Sequence, residues 1–169
     1  MIMPWSCCQP SAIPAGMKTI RGFTLIELLI TLVLIGILAG LGLPALANLM
    51  RNNQITAQTS ALAMSLAAAR SEAIKRRENI SVNARGGDWS TGWTITDSAG
   101  NQLRDHNIAA PVTIVETGGA TSVTYQSDGL TTAAGFLNFN ITHGDCTANP
   151  ARVVRVSPTG SVSIINNGC

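Results

Sequence analysis

RGFTLIELLITLVLIGILAGLGLP, Arg21 to Pro44, is almost wholly apolar, yet it holds Glu27 near its start. A carboxylate at the centre of a membrane helix costs about 2.5–3.5 kcal/mol on insertion scales. From Phe23 to Leu43 the run has twenty-one residues. At about 1.5 Å per residue it covers roughly 31 Å, the thickness of a bilayer core. Lys18 and Arg21 precede it, so the positive-inside rule puts the N-terminus in the cytoplasm and the body outside.

Three readings of the run compete. A plain anchor explains its length and leaves Glu27 unexplained. A conventional secretory signal would be cut after Ala45-Leu46-Ala47, but an h-region is only about 7–15 residues long. The third places the cut between Gly22 and Phe23, ahead of the apolar run.

The string Gly22-Phe23-Thr24-Leu25-Ile26-Glu27-Leu28-Leu29 closely resembles the class III signal of type IV pilins and type II secretion pseudopilins. The resemblance implies that a prepilin peptidase cuts after Gly22 and that the new amine of Phe23 is methylated. It also implies that Glu27 acts in assembly, meeting the Phe23 amine of a neighbouring subunit. Opposite charges at about 4 Å in an effective dielectric of 20 attract by about 4 kcal/mol. Each group is costly alone in an apolar setting and tolerable when paired. Gly36 and Pro44 fall where many such proteins place a glycine and a proline. With Gly40 and Gly42 they are expected to break or weaken the helix.

Upstream, MIMPWSCCQPSAIPAG has three prolines and no periodicity. Residues 1–22 are expected to be a leader, and 1–16 an extension ahead of a true start at Met17. Beyond Pro44 the pattern becomes amphipathic. Ile55, Leu62, Leu66, Ala69 and Ala73 recur at helical spacing, opposite Asn53, Gln54, Gln58, Ser60, Ser71 and Lys75. The expected division is a hydrophobic helix over 23–47, transmembrane before assembly, an amphipathic helix over 48–78, and a β-rich periplasmic head over 79–169.

Strands are expected at 80–84, 92–96, 112–116, 122–126, 136–142, 152–157 and 161–165. Turns are expected at Asp97–Asn101, Gly118-Gly119 and Asp128-Gly129, with Pro158-Thr159-Gly160 closing a hairpin. The fold class is α+β: a long N-terminal helix packed on a small antiparallel sheet or sandwich head, as in pilins. Within that class, the head resembles the FimT/GspH family. The residues that carry this are Ala69-Arg70-Ser71-Glu72-Ala73-Ile74-Lys75-Arg76, Trp89, Gly92-Trp93-Thr94-Ile95, Asp97 and Val156-Ser157-Pro158-Thr159-Gly160. The family implies a minor subunit that helps initiate or cap a filament. Its partners would be the peptidase, other minor pilins or pseudopilins and the major pilin, and its place the bacterial inner membrane with a single pass.

If the body is exported, Cys146 and Cys169 are expected to form a disulfide; the bridge would contribute about 3 kcal/mol. It resembles the loop that closes many pilin heads and tilts the reading toward a pilus over a secretion system. FimT-like members bind DNA during transformation through arginines just after the late glycine. Here Gly160 is followed by Ser161-Val162-Ser163. The remaining nucleic-acid candidates are Lys75, Arg76 and Arg77 at the helix end, and Arg152 and Arg155. The last two sit three apart on a strand and so face opposite ways. The net charge of +2 supplies no strong basic field, and DNA is not favoured as a partner. His106 and His143 lie in turn-like sequence. No nucleophile motif, phosphate loop or metal-ligand spacing is present, so neither enzyme activity nor a cofactor or metal is expected.

Overall fold

The computed structural model describes residues 22–108, 111–144 and 151–167, without the side chains of 41–45. The chain forms two compact units, one ending at Gly42 and the other beginning at Leu43. Cys146, Cys169 and most of the leader lie outside the described residues, as do Lys18 and Arg21.

One helix, α1, runs from Leu25 to Arg76. In the first unit, its side chains from Leu25 to Gly40 are exposed. Among the described residues no helix is long and apolar enough to cross a membrane. Residues 25–40 reach about 24 Å, against a bilayer core of about 30 Å. The sequence expectation also counted 41–43, whose side chains are not described.

The break expected at Gly36 and Pro44 is absent: the helix continues through both. A helical glycine costs about 1 kcal/mol and a proline about 3 kcal/mol relative to alanine. These are local deficits. Pro44 deprives one carbonyl of its amide partner, while the Leu-, Ile- and Ala-rich turns on either side keep their own ladders.

In the second unit, Ile55, Thr59, Leu62, Leu66, Ala69 and Ala73 form the buried stripe of α1. Their steps of four and three keep one face turned to the head. Thr59 is the unexpected member. Its hydroxyl donates to the Ile55 carbonyl at 2.7 Å, which removes most of the cost of burying it.

Among the described residues the head contains eight strands in two antiparallel sheets. β1 (Ile80–Ala84), β2 (Gly92–Thr96), β3 (Gln102–Asn107) and β5 (Ser122–Tyr125) form the first, in the order β3-β2-β1-β5. β4 (Val112–Glu116), β6 (Leu137–His143), β7 (Arg152–Val156) and β8 (Val162–Asn166) form the second, in the order β4-β6-β7-β8. Seven of these match the expected strands to within a residue or two. β3 was not expected, because QLRDHN shows no apolar alternation. As an exposed edge strand it has little to bury.

Both sheets send alternate residues into one core with the α1 stripe. Ile80, Val82, Trp93, Ile95, Val123 and Tyr125 come from the first sheet. Ile114, Phe139, Ile141, Val154 and Val156 come from the second. Trp89 meets Phe139 edge-to-face at 4.9 Å, an arrangement that aromatic quadrupoles favour. Buried Glu116 lacks a cation among the described contacts. Instead its carboxylate accepts from the backbone amides of Ala120 at 2.7 Å and Asn138 at 3.3 Å, and so shapes the β4–β5 turn.

α1 ends in a Schellman arrangement. The Glu78 amide reaches back to the Ala73 carbonyl at 3.3 Å, and Arg77 takes the left-handed conformation with φ 56°. Glycine adopts that conformation without the Cβ clash that costs other residues about 1 kcal/mol or more. Arg77→Gly is therefore expected to raise stability by about 1 kcal/mol in thermal or urea unfolding.

Candidate functional site

The start of α1 carries the first group of candidates. The Thr24 hydroxyl accepts from the Glu27 amide at 3.3 Å, and the Thr24 carbonyl accepts from the Leu28 amide at 3.2 Å. Thr24 is therefore the N-cap of the helix, and Glu27 occupies the third helical position of a Thr-x-x-Glu sequence. An acid in the first turn also complements the positive end of the helix dipole. Glu27 thus lies at a terminus, where its charge is less costly than at the middle of a membrane helix. The sequence pattern T-x-x-E held this signal, but the apolar context drew attention to the charge alone. Gly22 and Phe23 precede the cap in exposed, non-helical backbone.

The basic candidates do not converge. Arg76 is held by Glu72 at 2.9 Å and approaches Glu78 at 3.9 Å. The guanidinium beside Glu72 holds that carboxyl below its ordinary range, with smaller help from Lys75 and Arg104. Lys75 and Arg77 are exposed neighbours on the same helix end. Arg155 donates to Asn138 Oδ1 at 2.8 Å and lies over the Phe136 ring at 5.6 Å. Register along β7 places Arg152 with the core-facing positions 154 and 156, and Arg155 on the other face.

The histidines have structural neighbours. His106 stacks on Trp93 at 4.3 Å, and its Nε2 meets Gln58 Oε1 at 3.1 Å. His143 ends β6 with Nδ1 buried and unpartnered among the described residues. Among those residues no cluster of three His, Cys, Asp or Glu is placed to hold a metal. Two grooves of about 240 and 210 Å³ lie where α1 meets β2 and β3, and they share Ile95 and Arg104.

Arg70 belongs to the helix motif that resembles the family, and its side chain bridges two turns far away in sequence. It sits beside the buried stripe of α1. Its Nε donates to the Gly129 carbonyl at 3.0 Å and its Nη2 to the Thr159 carbonyl at 3.0 Å. Gly129 belongs to the turn after β5, in the first sheet. Thr159 belongs to the β7–β8 hairpin, in the second. The two turns also touch directly, since the Thr131 amide donates to the Pro158 carbonyl at 3.0 Å.

Two glycines make this approach possible. Gly129 and Gly160 have φ of 81° and 79°. A Cβ on Gly160 would collide with the Gly129 carbonyl oxygen, and one on Gly129 would crowd Ile74 and Arg70. The Gly160 of the late motif therefore serves close packing as well as the turn. Beneath the clasp, burial pushes the Tyr125 phenol up to about 12, with the charge of Arg70 pulling the other way.

The family described as Type II transport protein GspH matches residues 58–160, a span that includes Arg70, Gly129 and Gly160. The chain belongs to this family. The prokaryotic N-terminal methylation motif matches residues 17–43, which include Gly22, Phe23 and Glu27. A crystal structure of the Pseudomonas aeruginosa type IV minor pilin FimU in space group P21 is similar, with 26% identity and a TM-score of 0.59. It covers 69% of this chain and 92% of that one. The same minor pilin in space group P65 gives 26% identity and a TM-score of 0.57, covering 65% and 91%. No curated protein matches the chain. The molecule is thus a GspH-family protein of the minor pilin and pseudopilin type, with the pilin arrangement of a helix on an antiparallel head.

Within this GspH-family head, Arg70→Ala is expected to cost about 2 kcal/mol. Its removal strands the Gly129 carbonyl, while exposed Thr159 can turn to water. Arg70→Lys should recover less than half, because one ammonium cannot copy a fork aimed at two carbonyls. Urea unfolding of the three proteins measures both effects.

Proposed function

We propose that the chain is a minor pilin or type II secretion pseudopilin, cut between Gly22 and Phe23, methylated on Phe23, and built into a filament. The observation that carries this reading is the methylation-motif match across the Gly22–Phe23 junction, with Glu27 in the first helical turn. In the precursor, residues 23–43 would hold the chain in the inner membrane as a single pass, with the head from about 79 onward in the periplasm. In the filament, Glu27 would meet the cationic amine of a neighbour's Phe23. Thr24 would keep its capping role after the cut, since both partners of that bond belong to the mature chain.

The partners in this scheme are the prepilin peptidase, other minor subunits and the major pilin. The contribution is mechanical: the subunit would help initiate or cap a filament, and the reading calls for no catalytic group or cofactor. The GspH match supports the secretion branch, while the likeness to the minor pilin FimU supports the pilus branch. Both branches share processing and assembly. DNA binding draws less support, because Arg76 is engaged by two acids and Arg155 by Asn138 and Phe136.

Mass spectrometry of the mature protein is expected to find N-methyl-Phe23 as first residue; Asn48 as first residue would refute the proposal. Glu27→Ala is expected to leave membrane insertion and cleavage intact and to reduce recovery in sheared filaments at least tenfold. Normal recovery of that variant would remove Glu27 from the assembly mechanism.

A further inference from the structure

The junction proposed for cleavage lies just ahead of α1, so where the helix stops decides how that junction is presented. Leu25 is the first helical residue, while Gly22, Phe23 and Thr24 are exposed and non-helical. Gly22 does not set this limit. The same helix runs through Gly36, Gly40, Gly42 and Pro44, residues that disfavour a helix as much or more. Packing does not set it either. Among the described residues a Cβ on Gly22 would meet nothing within 4 Å, and Phe23 is 80% exposed.

The bonds around Thr24 do set it. Its carbonyl accepts from the Leu28 amide at 3.2 Å, the first bond of the helical ladder. Its hydroxyl accepts from the Glu27 amide at 3.3 Å. One more helical residue would bond that same amide to the Phe23 carbonyl, and a second would bond the Ile26 amide to the Gly22 carbonyl. The Thr24 hydroxyl and the Phe23 carbonyl thus compete for one donor. With the hydroxyl in place, the carbonyls of Gly22 and Phe23 accept no hydrogen bond among the described residues.

The Gly22 carbonyl is the one that cleavage attacks. Hydrolysis breaks the Gly22–Phe23 bond. The hydroxyl of water goes to the Gly22 carbonyl carbon, leaving a carboxylate, and its proton to the Phe23 nitrogen, leaving an amine. A carbonyl in a helical ladder is bonded and shielded by its own turn. One in exposed, irregular chain is free to enter a peptidase cleft.

We propose that Thr24 is a positioning residue for processing: its cap starts α1 at Leu25, short of the scissile bond, and leaves the Gly22 carbonyl free for the prepilin peptidase. This rests on the processing reading above. The methylation-motif match over residues 17–43 points independently to enzymes acting here, and the cap explains how the chain is offered to them. Thr24 thus acts before the cut and Glu27 after it, although one hydrogen bond joins the two residues.

Full-length precursor in detergent with purified prepilin peptidase provides the test. Mass spectrometry of the released leader gives kcat/KM, and the backbone carbon shifts of Phe23 report whether it is helical. Thr24→Ser keeps the hydroxyl and is expected to be cut within twofold of wild type. Thr24→Ala lacks it and is expected to be cut at least threefold more slowly, with Phe23 shifted toward helical values. In a Leu25→Pro background, Thr24→Ala is expected to change neither readout, because proline suits a first helical position and holds the residue before it extended. A side chain that touched the peptidase directly would be missed equally in both backgrounds. Thr24→Ala cut at the wild-type rate overturns the proposal. So does slow cutting with unchanged Phe23 shifts, or an equal loss in the proline background. Wild type left uncut between Gly22 and Phe23 overturns the processing reading, and this proposal with it.

Discussion

The fork of Arg70 is the contact on which the head's closure depends. One side chain of α1 donates at 3.0 Å to a turn of the first sheet and at 3.0 Å to the hairpin of the second. Burial of the helix stripe supplies most of the driving force, but apolar packing is not directional. The guanidinium adds direction, since its donors lie in a fixed plane and each demands a carbonyl in place. The left-handed glycines at 129 and 160 let the two turns come close enough to share it. This joins the helix motif around Arg70 to the Pro-Thr-Gly motif ninety residues later. In sequence they look unrelated.

The same helix meets a different physical problem at its beginning. There its side chains have no core to enter, and every described residue from Leu25 to Gly40 is exposed in the isolated chain. Thr24 and Glu27 organise that end as a capped terminus. On the proposed function, the acid would do so while waiting for a neighbour's amine. A residue with a local role in the monomer and a second role between subunits is easier to keep in an apolar segment than one with the second role alone.

Much of this was legible in sequence, and the failures have identifiable causes. The stripe Ile55, Leu62, Leu66, Ala69 and Ala73 was clear because burial on one face imposes a period. Six of the seven expected strands were clear because each buries residues in the core, while β8, which buries none, was marked by the Pro158-Thr159-Gly160 turn before it. β3 was invisible because an edge strand with exposed, charged residues lacks that constraint. Thr59 was missed because its hydroxyl is satisfied within its own turn, which no apolar pattern reports. Gly36 and Pro44 suggested a break, but their costs are local and the helix runs on. Arg70 was quoted yet not understood, because its partners are backbone carbonyls fifty-nine and eighty-nine residues away. The N-terminal methylation motif was the most legible feature, since such a motif is read as a linear string.

Helix, turn and hairpin close as one unit through Arg70. Native-state hydrogen exchange on the full chain in detergent tests it most directly, by following the amides of Gly129, Thr131 and Gly160. Each is hydrogen-bonded in the structure, to Gln126, Pro158 and Ser157 respectively. All three are expected to exchange with the same opening free energy as the buried amides of Leu66 and Ala69, and in Arg70→Ala the three turn amides are expected to exchange sooner than those of the helix. Turn amides in wild type that exchange by local fraying, well before the helix, would contradict it.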